Sequence, residues 1–193
     1  MNKCAYIHNM KRAGPADKTH IIKLLCKSFN DNFSVNYIIK QDQQRMQRMA
    51  ALMDYSFEVC MRFGEVWLSD DAYACALVLY PQNKRSTIWL DLQLILQAIG
   101  IGGIKKALAR EGMIKAKKPA VDMLYIWFIG VDPVMQHKGV GSKLLQEIIA
   151  QKQGLPVYLE TSNSKNLPWY RRFGFEIYEQ LTLTHTLYFL KRI

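Results

Sequence analysis

The sequence contains few of the residues that build zinc sites or disulfide frameworks. Its cysteines are Cys4, Cys26, Cys60 and Cys75. Their spacing gives no C-x-x-C pair and no Cys/His zinc pattern. The histidines are also far apart in the chain, at His8, His20, His137 and His185. We therefore expect reduced, buried thiols and no bound metal.

Long, uninterrupted apolar runs are also missing. The most apolar stretch, residues 88–104, is broken by Asp91, Gln93 and Gln97, whereas a helix that spans a bilayer needs about 20 nearly uninterrupted apolar residues. The N-terminal residues lack the apolar core of a secretory signal peptide. We expect a cytoplasmic protein without a membrane partner.

Acidic residues are scarce relative to basic ones. There are 16 Asp and Glu residues against 26 Lys and Arg residues, which gives a net charge of +10. Such a balance favours an anionic partner, namely nucleic acid, an acidic membrane or a phosphorylated small molecule. Because a nucleic-acid-binding motif and a dense basic stripe are both missing, we expect no nucleic-acid partner.

The sequence has enough apolar residues, 50% of the chain, to bury a full core in one domain. In the first part, periodicity predicts helices over residues 17–29 and 41–63, strands over 65–69 and 73–80, and a glycine-interrupted helical stretch over 86–118. In the second part it predicts strands over 121–131, 156–161, 175–180 and 184–190, and helices over 142–153 and 167–173. Because strand, helix and strand follow one another there, we expect an α/β chain with at least one parallel βαβ unit.

The strongest chemical signal is a glycine-containing turn between a predicted strand and a predicted helix, Gln136-His137-Lys138-Gly139-Val140-Gly141. Backbone N–H groups at a helix start lack internal partners, and glycines let an anion approach the backbone closely. The run fits neither the P-loop nor the dinucleotide fingerprint, because position 144 is a leucine where the latter needs a third glycine. Spacing alone leaves open a tight turn that binds nothing.

The wider motif resembles the acetyl-CoA-binding motif of the GNAT superfamily of N-acyltransferases. Its pattern is V-D-P followed by Q-x-x-G-x-G, with Gln136, Gly139 and Gly141 at the named positions. The later run L-E-T, then N-L-P-W-Y, then G-F is similar to a second motif of that superfamily, and is closest to the puromycin N-acetyltransferase-like branch. The two motifs cover residues 121–180.

This resemblance implies a GNAT-like α/β fold with a mixed, splayed six- to seven-stranded sheet flanked by helices. A single domain would span residues 1–193, with the N-terminal helices and the 86–118 insertion on the acceptor side and residues 121–180 as the cofactor-binding core. The implied cofactor is acetyl-CoA. The implied cofactor-binding residues are Ile129, Gly130, Val131, Gln136, His137, Lys138, Gly139, Val140, Gly141, Ser142, Asn166 and Tyr170.

The roles implied for these residues follow the parts of the cofactor. The backbone at Ile129, Gly130 and Val131 would pair with the pantetheine arm like an added strand. N–H groups from Lys138 to Ser142 would hold the diphosphate, and Asn166 would touch the pantetheine or position the neighbouring loop.

The chemistry of acyl transfer needs groups at both ends of the reacting centre. The backbone N–H of Val131 could stabilise the developing oxyanion. The Tyr170 hydroxyl could protonate the departing thiolate, although a packed tyrosine is the alternative. Glu160 and Asp122 are candidate proton acceptors for the amine, each acting through water, and each is otherwise structural. Tyr125 and Trp127 line the acceptor pocket or pack in the core.

We therefore predict an acetyl-CoA-dependent N-acetyltransferase. It would transfer the acetyl group to a primary amine of a small molecule by direct attack in a ternary complex, as a monomer or a homodimer. Three alternatives remain: an acyl-CoA-binding regulatory module without turnover, a protein or peptide N-acetyltransferase, and a basic nucleic-acid-binding protein.

Overall fold

The computed structural model describes residues 10–151 and 154–193. Cys4, His8 and the last two residues of the helix predicted over 142–153 lie outside the described residues. The helices are α1 (Lys18–Ser28), α2 (Phe33–Ile38), α3 (Arg45–Phe63), α4 (Ile88–Leu94), α5 (Ile104–Lys117), α6 (Val140–Ala150) and α7 (Leu167–Arg171). The strands are β1 (Met10–Arg12), β2 (Gly64–Ser69), β3 (Ala74–Leu79), β4 (Leu124–Val131), β5 (Val157–Thr161), β6 (Glu176–Thr182) and β7 (Thr186–Arg192).

The strands form one mixed sheet in the order β1-β2-β3-β4-β5-β7-β6. Only β4 and β5 run parallel, and the remaining neighbours are antiparallel. Because α6 connects the two parallel strands, the predicted βαβ unit and the predicted mixed sheet of six to seven strands are both confirmed.

Helices cover both faces of the sheet. Strand side chains alternate between faces, and β3 follows this rule: Cys75 and Leu77 join the core under α1 and α3, whereas Ala76 and Val78 join the core under α6 and α7. All six residues of β3 are buried. The central strands therefore have the near-continuous apolar sequence that burial on both faces requires.

A third, smaller apolar cluster holds the helical insertion against the end of the sheet. Ile114 of α5 packs on Leu187 and Phe189 of β7. The insertion bends at Gly100, whose φ of +73° favours glycine. In the described part of the chain no single helix meets the length and apolarity needed to cross a bilayer, and the segments Ile88–Ile99 and Ile104–Lys117 meet it only as a pair bent by 119°.

Two elements were not predicted. The strand β1 has only three residues and is set by pairing with β2, with Met10 opposite Ser69. The helix α2 has six residues and begins where the Asn32 side chain accepts a hydrogen bond from the Val35 N–H at 3.0 Å. The helix predicted from residue 41 begins instead at Arg45, because residues 41–44 form the turn before it.

Candidate active site

A fork between the two parallel strands defines the site. Strand β4 pairs with β5 only over Leu124, Tyr125 and Ile126. From Trp127 to Val131 it continues with no partner on that edge within the described residues, because β5 turns away after Leu159. The open edge therefore presents backbone that no neighbouring strand pairs, and an extended ligand can meet it as an added strand.

Two contacts of the Asp132 side chain hold the turn after β4. Asp132 accepts a hydrogen bond from the Val134 N–H at 3.2 Å and forms a 3.0 Å ion pair with Lys27 of α1. Both interactions, the Lys27 contact foremost, lower the pKa of the Asp132 carboxyl group. His137 (φ +63°) and Gly139 (φ +86°) are then left-handed, which reverses the chain into α6.

The start of α6 has the properties of an anion site. In the described residues the N–H groups from His137 to Ser142 donate to no loop or turn carbonyl, whereas Lys143 N–H donates to Gly139 O at 3.1 Å. A Cβ atom at Gly139 would meet nothing within 4 Å, so the space above this residue is open. The residues therefore fit a diphosphate bound by backbone N–H groups and the helix dipole.

Gly141 is required for a different reason. A Cβ atom there would lie 2.9 Å from Val131 Cγ2, so α6 could not begin so close to β4 with a larger residue. Gln136 reinforces this approach, because its Nε2 donates to the Val131 carbonyl oxygen at 3.3 Å. The motif positions Gln136 and Gly141 thus set the distance between strand and helix.

The second wall of the fork is α7 and the turn before it. The Trp169 Nε1–H group donates to Ser142 Oγ at 3.0 Å, which connects α7 to the first turn of α6. Asn166 is exposed at the beginning of α7. The predicted cofactor residues on the two motifs are therefore brought together around one fork.

Tyr170 is buried, with 5% of its surface exposed. Its ring contacts Trp169 (centroids 4.7 Å apart) and Phe175 (5.7 Å). Among the described residues its hydroxyl group has no hydrogen-bond partner, and burial raises its pKa. The hydroxyl group therefore stays protonated near neutral pH and has a hydrogen bond to donate. Its role as the proton donor to the departing thiolate stays a prediction.

The backbone N–H of Val131, predicted as an oxyanion donor, has a partner here. It donates to Ser28 Oγ at 3.2 Å, from the last residue of α1. A role in stabilising an oxyanion requires that Ser28 release it.

The two predicted proton acceptors occupy different places. Glu160 follows Leu159, the last residue of β5 that pairs with β4, and so lies at the fork. Its carboxylate contacts Lys118 Nζ at 2.9 Å and the Tyr125 hydroxyl group. Asp122 is exposed and precedes β4. At ~3.3 Å per strand residue it lies about 13 Å before Ile126, where β4 leaves β5, so the structure does not bring it to the fork.

Tyr125 and Trp127 both contact the core on the face away from α6, as predicted for one face of β4. Tyr125 is buried and Trp127 half-buried. Trp127 is the extra residue of a bulge, since Leu77 pairs with Phe128 and Val78 with Ile126. The bulge bends β4 where it leaves β5.

The face opposite α6 carries three long-range contacts that the sequence did not predict individually. Asn32 Oδ1 lies 3.5 Å from Ser162 Oγ, beyond the end of β5. Phe33 stacks on His185 of the β6–β7 turn, with ring centroids 6.3 Å apart. Arg110 of α5 donates to Ser34 at 2.5 Å. No local pattern identifies these residues, because each contact joins distant parts of the chain.

Residues 10–151 and 154–193 contain no cluster of three or more His, Cys, Asp or Glu side chains that could hold a metal ion. The described cysteines Cys26, Cys60 and Cys75 are buried and unbridged, and burial raises the pKa of the Cys26 thiol to about 11.

Comparison with known proteins agrees with this geometry. The model of the acetyltransferase (GNAT) domain matches residues 93–177. A solved structure described as histone acetyltransferase HPA2 and related acetyltransferase, from Corynebacterium glutamicum, superposes with a TM-score of 0.74 at 19% identity, over 96% of each chain. Arylalkylamine N-acetyltransferase 2 from Aedes aegypti superposes with a TM-score of 0.68 at 15% identity, over 97% of this chain and 99% of that one. The fold is that of GNAT acetyltransferases.

Two curated relatives match shorter stretches. An uncharacterized N-acetyltransferase from Schizosaccharomyces pombe is 40% identical over 62 residues, 31% of this chain and 25% of its own. The N-alpha-acetyltransferase RimI from Mycobacterium tuberculosis is 46% identical over 50 residues, 25% of this chain and 32% of its own. The matches thus span about a quarter to a third of these relatives, and the resemblance to the puromycin branch stays a prediction.

Proposed function

We propose that this protein transfers an acetyl group from acetyl-CoA to a primary amine of a small molecule. The observation that carries the proposal is the fork, where the open edge of β4 ends at a helix start whose N–H groups have no loop or turn partner. A linear ligand whose amide-bearing arm leads to a diphosphate fits this arrangement. The arm can pair with the open edge of β4, and the diphosphate can bind the helix start.

Residues of this chain would hold the cofactor in two parts. The backbone of Ile129, Gly130 and Val131 would pair with the pantetheine amides, and the N–H groups from Lys138 to Ser142 would bind the diphosphate. When bound, acetyl-CoA would supply an activated acetyl group at the fork. Asn166 would contact the arm from the opposite wall.

Two side chains would move the protons that the reaction requires. Tyr170 would donate its hydroxyl proton to the departing sulfur, which accounts for a protonated hydroxyl group with no partner. Glu160 would accept a proton from the amine, directly or through water, because it lies at the fork and faces the acceptor side. We propose Glu160 rather than Asp122, since Asp122 lies at the far end of β4.

The enclosed acceptor face supports a small acceptor. The contacts Asn32–Ser162 and Phe33–His185 bring the α1–α2 segment against the end of β5 and the β6–β7 turn. We expect these contacts to restrict the access of a peptide or protein terminus to the fork. Peptide N-acetylation remains the second candidate, because of the short match to an N-alpha-acetyltransferase.

A paired assay of binding and turnover tests the proposal. Titration calorimetry measures acetyl-CoA binding, and release of the CoA thiol measures turnover on a panel of small primary amines and of short peptides with free N-termini. We expect binding and turnover on at least one small amine. Binding without turnover on either panel would favour a regulatory module, and turnover confined to peptides would favour the second candidate.

A further inference from the structure

Arg110 is a charged residue in a place where charge is costly. It belongs to α5, yet its side chain is only 6% exposed. Its Nη2 donates to Ser34 Oγ at 2.5 Å, and its Nη1 donates to Glu111 Oε1 at 3.1 Å. Glu111 is 67% exposed, so water screens most of that ion pair. Buried arginines are almost always paired, which leaves this one short of a counter-ion.

The Nε–H group of the Arg110 guanidinium has no hydrogen-bond partner among the described residues. Its Nε is one of four buried side-chain atoms without a hydrogen bond in the described residues. A buried donor on a charged group loses its hydration without replacement, which is destabilising unless a ligand supplies an acceptor.

Two more of these four atoms lie on the same face of the sheet. They are His185 Nε2 and Glu160 Oε1, the latter in the ion pair with Lys118 but without a hydrogen bond. Glu160 is paired in register with Phe189 of β7, and Ile114, one helical turn after Arg110, packs on Phe189. Directly opposed residues of two strands point to the same face.

The His185 ring is held by aromatic contacts, and its Nε2 is buried without a hydrogen bond in the described residues. It stacks on Phe33 and meets the Tyr37 ring edge-on at 5.7 Å, while Nδ1 lies 3.3 Å from Thr184 Oγ1. Burial, and secondarily the charge of Arg110, lower the pKa of His185, so the ring is neutral near pH 7. A neutral ring can donate Nε2–H to an anion next to Arg110.

The charges near Arg110 and Glu160 favour an anion near α5 and an amine near the fork. The nearby acidic groups include Glu111, which is mostly solvated, and Glu160, which pairs with Lys118. Both Glu160 and Arg110 act electrostatically on the Tyr125 hydroxyl group. A neighbouring groove of about 390 Å³ is lined by Tyr37, Lys106 and Ala107 among others, and Lys106 adds a positive charge on the same helix.

We propose that Arg110, Ser34 and His185 bind a carboxylate of the acceptor, so that the acceptor is an amine that also carries a carboxylate. This inference rests on the proposed function. The guanidinium Nε edge and the His185 Nε2–H group would bind the two carboxylate oxygens, in the planar geometry that arginine offers. The acceptor amine would then extend towards Glu160 at the fork.

The test compares paired acceptors. Each pair is an amino acid and its amide, for example β-alanine and β-alaninamide, so that the amine is kept and the carboxylate is removed. For wild type we expect kcat/KM to favour the carboxylate member by about 10- to 100-fold, because a charge-assisted contact is lost with the amide. Arg110→Met should remove this preference while leaving the Kd for acetyl-CoA unchanged.

The matched control is Lys115→Met, which removes one positive charge from an exposed position of the same helix. It should keep the preference. If Arg110→Met does not fold, Ser34→Ala and His185→Gln should each reduce the preference instead. A wild type that favours the amides, or variants that retain the wild-type ratio, would overturn the carboxylate site. Turnover on neutral amines would leave the proposed function intact in that case, whereas a chain that binds no acetyl-CoA would contradict the function itself.

Discussion

The indole N–H of Trp169 donates a hydrogen bond to the hydroxyl oxygen of Ser142 at 3.0 Å. Trp169 lies on α7, which follows β5, and Ser142 lies in the first turn of α6, which follows β4. The bond therefore joins the two walls of the fork on the side where the diphosphate would bind. It also places a tryptophan ring 3.9 Å from the Cβ position of Gly141.

This bond predicts coupling between Trp169 and Ser142. In a double-mutant cycle of Trp169→Phe and Ser142→Ala, chemical denaturation should give an interaction free energy of about 0.5–1.5 kcal/mol. Both single variants should also bind acetyl-CoA more weakly, because the helix start loses a fixed position. Additive effects on stability would show that the two walls are held by packing alone.

Gly141→Ala should destabilise the fold by about 1–3 kcal/mol, because the added methyl group must displace Val131 or the start of α6. Gly112→Ala is the control: this exposed glycine of α5 has nothing within 4 Å of its Cβ position, so alanine should stabilise the protein by about 0.5–1 kcal/mol. Thermal and chemical unfolding measure both. Equal stabilisation by the two alanines would contradict the close approach at Gly141.

Tyr170→Phe should lower kcat by about 100-fold or more, with little change in the Kd for acetyl-CoA. Stability should change little, since the hydroxyl group has no hydrogen-bond partner among the described residues. Burial raises the pKa of Tyr170, so its ionisation should cause no loss of wild-type activity below pH 10. A variant with wild-type kcat would remove the proton-donor role and leave the fold and the cofactor site as they are.

Variants of Lys118 and Glu160 distinguish a structural role of the Glu160 carboxylate from a catalytic one. Lys118 contacts the Glu160 carboxylate at 2.9 Å and lies over the Tyr125 ring at 3.9 Å. Lys118→Met should destabilise the protein by about 1–3 kcal/mol, because the Glu160 side chain, which is only 10% exposed, loses its ion-pair partner. Adding Glu160→Gln should recover part of that loss.

Glu160→Gln alone tests the proton-acceptor role. We expect kcat/KM to fall by at least about tenfold, while acetyl-CoA binding is retained. A kcat/KM equal to that of wild type would assign Glu160 to anchoring Lys118 only. Asp122→Asn is the comparison, and we expect it to be near wild type.

The sequence was informative wherever one segment determines its own structure. Periodicity placed α1, α6 and the four central strands to within a few residues, since burial on one or two faces leaves a regular pattern. The turn at Gly139 was predictable because a helix start and a glycine at positive φ are local features.

Contacts between distant residues were not predictable in the same way. The Ser28–Val131 hydrogen bond joins positions 103 apart, and the Arg110–Ser34 bond joins positions 76 apart. Nothing in the sequence of α5 distinguishes Arg110, which is buried, from Lys115, which is exposed. These contacts therefore appear only in the fold, which brings α2, α5 and the β6–β7 turn together.

The central claim is that the backbone N–H groups at the start of α6 bind the diphosphate of acetyl-CoA. The most direct measurement is calorimetric titration of acetyl-CoA into wild type, Gly139→Ala and Gly139→Glu. Both variants carry the same strain from a φ of +86°, but only glutamate fills the open space above the turn with a negative charge. We predict that Gly139→Ala binds within about tenfold of wild type and that Gly139→Glu loses at least 100-fold. Equal affinities for the two variants, or a wild type that does not bind acetyl-CoA, would contradict the account.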